Sequence, residues 1–270
     1  MGKKKRGGAA AVSTAAAAAA SSSAVSSSPS AARGGKPTKQ AAGKGEGEGQ
    51  LRTVAFRLAT GESIKYNSQP PYRLARDDNL VQLPLFPRSE CQKLLFLTER
   101  FDDWDALSDS VDRKSENQHN IFDLAKGTND GVLYPLCALI SETVLQPVLQ
   151  QTLGLTGLKL HWAFLRRYTV DGRTSFPVHR DSSAATVNIL LSDPNDFSGA
   201  ELYLLPNEFK NADKMSDKQF RKALPESDLR QKYSVPYRQG ECCMHIGKRL
   251  HGVLPLTSGA RFTLILMYLP

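Results

Sequence analysis

Phe176-Pro177-Val178-His179-Arg180-Asp181 decides the fold, together with two later stretches, His251-Gly252-Val253-Leu254-Pro255 and Arg261-Phe262-Thr263-Leu264-Ile265-Leu266-Met267-Tyr268-Leu269. Alternate residues of an extended strand share a face, so His179 and Asp181 project to the same side. A His-x-Asp pair alone is weak evidence, because short motifs recur by chance. Two histidines and one carboxylate on one side of a metal leave the remaining positions open, an arrangement that suits Fe(II) with a co-substrate and O2. Structural zinc sites close their coordination sphere instead. His179, Asp181 and His251 are therefore the candidate catalytic metal ligands.

Arg261 opens a strongly apolar strand and has Thr263 on its own face. A guanidinium beside a hydroxyl is a two-pronged receptor for a carboxylate. Tyr168 lies on the face of residues 158–170 that also carries Leu160, Trp162, Phe164 and Arg166, where it can add a hydrogen bond. Arg261, Thr263 and Tyr168 are the candidate cofactor-binding residues, for a dicarboxylate whose other end reaches the metal.

Working outward, residues 53–58 and 80–86 read as strands. A helix starts at Pro87-Arg88-Ser89-Glu90-Cys91, with Leu94, Leu95, Leu97 and Phe101 near helical spacing. A second helix spans 133–153, kinked or divided by Pro147. Residues 102–130 read as polar loop with a short strand at 121–124. Further strands fall at 185–191, 201–205, 241–246, 253–254 and 261–269, with turn signals such as Asp193-Pro194-Asn195-Asp196 and Ser258-Gly259 between them. Helices followed by many short strands give an α+β fold, with helices packed on one face of a closed sandwich or barrel. The polar segment 206–240, with a helical candidate at 217–224, reads as an excursion outside that barrel. The domain reading is a 1–50 tail, a 51–157 support region and a 158–270 core carrying the insert.

Charge separates the ends of the chain. Eight of the 35 basic residues and none of the 27 acidic ones lie in residues 1–45, so the formal charge of +8 resides in that tail. The neutral remainder gives little reason to expect a nucleic-acid groove. Residues 1–50 are Ala, Ser, Gly and Lys in low-complexity blocks that cannot repay the entropy of ordering. Read as an address, the tail fits an organelle transit peptide; Lys3-Lys4-Lys5-Arg6 also fits a contact with an import receptor or nucleic acid, and a solvated tail without an address fits equally. Cytoplasm, nucleus and organelle all stay open. Cys91, Cys137, Cys242 and Cys243 lack metal-finger spacing and read as buried thiols, and no run of about 18 apolar residues supports a membrane span.

From Tyr168 to Leu269 the chain resembles the 2-oxoglutarate and Fe(II)-dependent dioxygenases, most of all their prolyl 4-hydroxylase-like branch. The resemblance rests on Tyr168, His179-Arg180-Asp181, Val187-Asn188-Ile189-Leu190-Leu191-Ser192, Phe197-Ser198-Gly199-Ala200-Glu201-Leu202, His251-Gly252-Val253-Leu254-Pro255 and Gly259-Ala260-Arg261. It implies a double-stranded β-helix (jelly-roll or cupin-like barrel) in which His179, Asp181 and His251 bind iron and Arg261, Thr263 and Tyr168 bind 2-oxoglutarate. Ascorbate is a further cofactor on this reading. The implied reaction consumes O2, releases succinate and CO2, and hydroxylates a protein or peptide side chain, prolyl before lysyl. Collagen-type relatives place Lys where Arg261 stands, and the family's glycine pair reads Gly199-Ala200 here.

Two other functions fit the same residues: a cupin-like metal-binding module or sensor without turnover, and a nucleic-acid demethylase, which would want a second arginine after Arg261. His245 reads as a core histidine beside the ligands, and His161 and His119 as structural or exposed. Substrate choice is expected from residues 102–130 and 206–240.

Overall fold

The computed structural model describes residues 52–75, 79–101, 104 and 117–270; the readings for the 1–50 tail and for most of the loop after residue 101 lie outside them. The alternation of residues 158–170 becomes the centre of the architecture. β7 (Lys159–Thr169) pairs antiparallel with the last strand, β14 (Leu256–Leu269), Tyr168 opposite Arg261 and Arg166 opposite Thr263. On the other edge of β14 lies β9 (Ala185–Leu190), followed by β12 (Glu241–Ile246), β4 (Leu80–Pro84) and β3 (Arg73–Ala75). Beyond β7 come β5 (Gln118–Asp123) and β6 (Thr128–Asn129). A smaller sheet has the order β11 (Leu202–Leu204), β13 (His251–Val253), β8 (Phe176–His179).

Period-two alternation sorts the larger sheet into two faces. Leu264, Leu266, Leu165, Val187 and Ile189 point outward into one cluster with Leu136, Ile140, Leu145 and Leu149 of a helical layer. Burying each such aliphatic side chain contributes roughly 1.5–3 kcal/mol. That layer is α2 (Tyr134–Ile140), a π-helical turn (Ser141–Leu145) and α3 (Gln146–Leu153), with α1 (Arg88–Thr98) also contributing Leu94 and Leu97 to the cluster. Pro147 does not divide the helix. It cannot donate a hydrogen bond, and the widened turn before it, in which Gln146 N–H reaches Ser141 O, passes the proline into α3.

The opposite face of the larger sheet looks onto the smaller one. The ring of His245 on β12 lies 4.6 Å from that of His251 on β13. Tyr168 and Cys243 from the larger sheet share a cluster with Phe176, Leu202, Leu204 and Val253 from the smaller. Adjacent cysteines thus fall on opposite faces, Cys242 in the helix-side cluster and Cys243 between the sheets, and all four cysteines are free and buried.

Segment 206–240 covers the outer side of the smaller sheet. Phe220 and Leu224 lie against Tyr203, Leu205, Leu250 and Leu254 in a cluster of their own. Within it α4 (Asp217–Ala223) starts from a capping box in which Ser216 and Gln219 satisfy each other's backbone N–H groups; α5 (Glu226–Asp228) follows.

Several boundaries move. The last strand begins at Leu256 rather than 261, because β10 (Phe197–Gly199) pairs with its first residues through the Ser258-Gly259 turn signal. The 201–205 reading shortens to β11, and the 253–254 reading becomes β13 from His251. Between β10 and β11 the chain turns through left-handed backbone at Gly199 (φ 80°) and Ala200 (φ 53°). A Cβ at Gly199 would lie 2.1 Å from Pro255 O, so a glycine is required there. The expected strand at 53–58 is β1 (Thr53–Arg57), which forms a hairpin with β2 (Ser63–Asn67); β2 and the short β3 and β6 add strands beyond those expected.

Candidate active site

His179 ends β8 and His251 begins β13, and the two are direct cross-strand partners. Asp181 follows His179 by two residues, its backbone N–H held by Gly247 O at 2.9 Å. One donor atom from each of the three lies within 4.8 Å of the others. His179 Nε2 is 3.3 Å from Asp181 Oδ1, and His251 Nε2 is 3.5 Å from Asp181 Oδ2.

Both imidazoles are turned the same way by backbone carbonyls: His179 Nδ1 lies 2.9 Å from Pro177 O and His251 Nδ1 2.8 Å from Arg249 O. Nδ1–H donates in each, which leaves the Nε2 lone pairs facing the carboxylate, the tautomer a metal ligand needs. Burial pulls the His251 pKa well below the ordinary histidine value, and the neighbouring His179 pulls in the same direction, so this ring stays neutral. Burial opposes ionisation of Asp181, but the His251 and His179 rings packed against it outweigh burial and hold the carboxyl well below the usual carboxylate range. Gly252 follows His251 for a steric reason: a Cβ there would meet Tyr203 Oη at 2.3 Å and Phe176 O at 3.0 Å.

The three side chains line a cavity of about 250 Å3 with Phe164, Arg166 and Met267. Further along the same face of β14, Arg261 and Thr263 are 3% and 1% exposed, and Tyr168 opposite them is 3% exposed. The Arg261 guanidinium lies 5.4 Å from the Tyr168 ring centroid, and Thr263 Oγ1 is buried without a hydrogen-bond partner. A lone buried hydroxyl beside a buried guanidinium is the environment that a carboxylate would complete. Arg261 itself borders a second cavity of about 500 Å3, and Leu202 borders both. The donor set and the orphaned Thr263 hydroxyl thus fit a divalent metal at one end and a carboxylate at the other.

Several residues around these six carried no clear signal. Thr186 Oγ1 donates to Asp181 Oδ2 at 2.5 Å and is itself 2.8 Å from Ser183 Oγ. Polar Thr186 and Asn188 within the apolar strand Ala185–Leu190 were the available hint. Arg166, buried on the inner face, donates to Gln118 Oε1 at 2.8 Å. Arg180, between two of the candidate ligands, donates to Asp213 Oδ2, Lys210 O and Lys248 O, tying the metal end to segment 206–240. Tyr237 accepts from Arg261 Nη2 at 2.5 Å.

His245 is fully buried, with Nδ1 2.9 Å from Ile246 O and Nε2 3.4 Å from Asn188 Nδ2, and is outside the three-donor group. His161 lines the metal-side cavity, and His119 stacks on Phe101 with ring centroids 4.1 Å apart.

No protein-family model matches the chain. Among curated proteins it is 28% identical over 213 residues to 2-oxoglutarate and iron-dependent oxygenase domain-containing protein 2 of Xenopus tropicalis, covering 76% of this chain and 55% of that one. It is 25% identical over 203 residues to the 2-oxoglutarate and iron-dependent oxygenase domain-containing protein ICU11 of Arabidopsis thaliana, covering 74% and 48%. The chain spans about half the length of these relatives. Among solved structures, EvdMO1 superposes with a TM-score of 0.51 at 16% identity, covering 81% of this chain and 55% of that one, a similarity of fold.

Proposed function

We propose that the chain is an Fe(II)- and 2-oxoglutarate-dependent oxygenase, as the names of the relatives it is similar to say of them, and that it hydroxylates a protein side chain, prolyl before lysyl. The observation that carries this reading is the grouping of His179, Asp181 and His251 within 4.8 Å on the face that also carries buried Arg261 and Thr263. We read the two facing sheets as a double-stranded β-helix.

In that reading His179 Nε2, His251 Nε2 and an Asp181 oxygen hold iron, and Arg261 and Thr263 hold the distal carboxylate of 2-oxoglutarate. Iron held there would supply the oxidising chemistry that couples conversion of 2-oxoglutarate and O2 to succinate and CO2 with hydroxylation of a substrate C–H bond.

The remaining work belongs to the chain. The carbonyls of Pro177 and Arg249 fix the imidazole tautomers, and Thr186 fixes the carboxylate. Arg261 orients the co-substrate from a buried position where a hydrogen bond from a guanidinium counts for more than in water. Ile265, Met267, Leu269 and Trp162 give the metal-side cavity an apolar wall. An apolar wall with Arg166 and Arg180 among its lining residues suits a neutral pyrrolidine ring better than the ammonium of lysine.

The test is succinate formation by the purified chain from labelled 2-oxoglutarate with Fe(II), beside His179→Ala and Arg261→Ala. Turnover abolished in the first and sharply weakened in the second is the expected result. Iron binding without any consumption of 2-oxoglutarate, even with candidate peptides, would replace this reading with the non-catalytic metal-binding module.

A further inference from the structure

Arg261 has a phenol on it that the sequence did not announce. Its Nη2 donates to Tyr237 Oη at 2.5 Å, from a residue 24 positions earlier in the chain and just beyond the last helical turn of the insert. The segment carrying Tyr237 is anchored on both sides of the sandwich: Val235 N–H reaches Leu202 O at 2.8 Å in the smaller sheet, and Gln82 Nε2 reaches Pro236 O at 2.9 Å from the larger one. Tyr237 and Arg261 line one cavity together with Leu190 and Leu202. The one carboxylate among that cavity's lining residues, Glu201, is already paired with Arg230.

The donor arithmetic is specific. A phenol oxygen that accepts from a guanidinium keeps its own proton for donation. Arg261 has further N–H groups, and Thr263 Oγ1 is buried on the same strand face without a partner. A carboxylate arriving in the cavity that Arg261 and Tyr237 both line would meet a guanidinium N–H and a phenolic O–H.

We propose that Tyr237 is a specificity-determining residue of the co-substrate site: its oxygen orients Arg261 while its O–H donates to the distal carboxylate of the 2-oxo acid. Segment 206–240 thereby has a role, since its exit segment delivers the group that distinguishes a 2-oxo dicarboxylate from a 2-oxo monocarboxylate. Burial pushes the Tyr237 pKa up to about 12 even with Arg261 beside it, which keeps the phenol protonated and able to donate. The inference rests on the oxygenase reading above.

It is tested by calorimetric titration of the full chain loaded with Mn(II), without turnover, using 2-oxoglutarate and its isostere 2-oxovalerate, in which a methyl replaces the distal carboxylate. One hydrogen bond to a charged group is worth about 1.5–3 kcal/mol, so Tyr237→Phe should weaken 2-oxoglutarate binding by roughly tenfold or more and leave 2-oxovalerate binding unchanged. Thermal unfolding of the ligand-free variant at the wild-type midpoint checks that the fold is kept. Should the fold be lost, Tyr237→His, which retains a donor in a smaller ring, is expected to keep a greater preference for 2-oxoglutarate over 2-oxovalerate than Tyr237→Leu. Unchanged 2-oxoglutarate affinity in Tyr237→Phe, an equal loss for both ligands, or an equal preference in the His and Leu variants overturns the inference alone. A wild-type chain that binds neither ligand overturns the oxygenase reading and this inference with it.

Discussion

The metal end and the carboxylate end of the inter-sheet space are built on different principles. At the metal end, two of the three donors sit two residues apart, and the third is the direct cross-strand partner of the first. Orientation there is supplied by the ligands' own backbone, through Pro177 O and Arg249 O, each two residues from its imidazole. At the carboxylate end, Tyr168, Tyr237 and Arg261 come from three separate segments, and only the pairing of β7 with β14 and the return of the insert bring them together. Two of the three metal-end donors are encoded in local spacing and the third arrives by one strand pairing; the carboxylate end exists only once both sheets have closed.

That contrast can be broken experimentally, and the largest effect should come at the metal end. Replacing Asp181 with Asn removes the anionic donor and should lower succinate formation at least about a hundredfold, with loss of bound iron measured by elemental analysis. Activity near wild type would sink the ligand assignment. Arg261→Ala removes a buried charge from the other end; 2-oxoglutarate affinity should fall at least about thirtyfold while iron content is kept, as read by calorimetry beside metal analysis. Simultaneous loss of iron would show that the two ends are not separable.

Smaller effects sharpen the comparison. Thr186→Val keeps volume but deletes the hydroxyl that holds Asp181 Oδ2, and iron affinity should drop about tenfold, at the mild end of the range for groups that orient a metal ligand. At the turn beside the carboxylate end, Ala200→Gly relieves a left-handed backbone (φ 53°) but loses a buried methyl, so the unfolding free energy should move by no more than about 1 kcal/mol. A shift of several kcal/mol in chemical denaturation would mean that the turn carries more of the fold than its backbone angle implies.

Legibility followed the same divide. Alternation in residues 158–170 and the continuous apolar run of 261–269 announced the two central strands, because a patterned strand has little choice of face and an apolar run between turn signals has to be buried. The α2–α3 stripe was equally plain, whereas its passage through Pro147 by a π-helical turn depended on packing against the sheet. Thr186 and Asn188 were visible only as polar interruptions in an apolar strand, and nothing marked what they touched. Tyr237 gave no sign, since a lone tyrosine after a polar insert has no periodicity to place it.

The sequence by itself determined that His179 and Asp181 share a face, that Arg261 and Thr263 share another stretch of strand face, and that the excess positive charge lies in residues 1–45. These follow from the fixed period of a strand and from composition, which need no partner. Tertiary structure alone decided that His251 pairs with His179, that Thr186 holds Asp181 and that Tyr237 meets Arg261. Those contacts depend on register and on chain return, and they form only when the sheets bury their common apolar face.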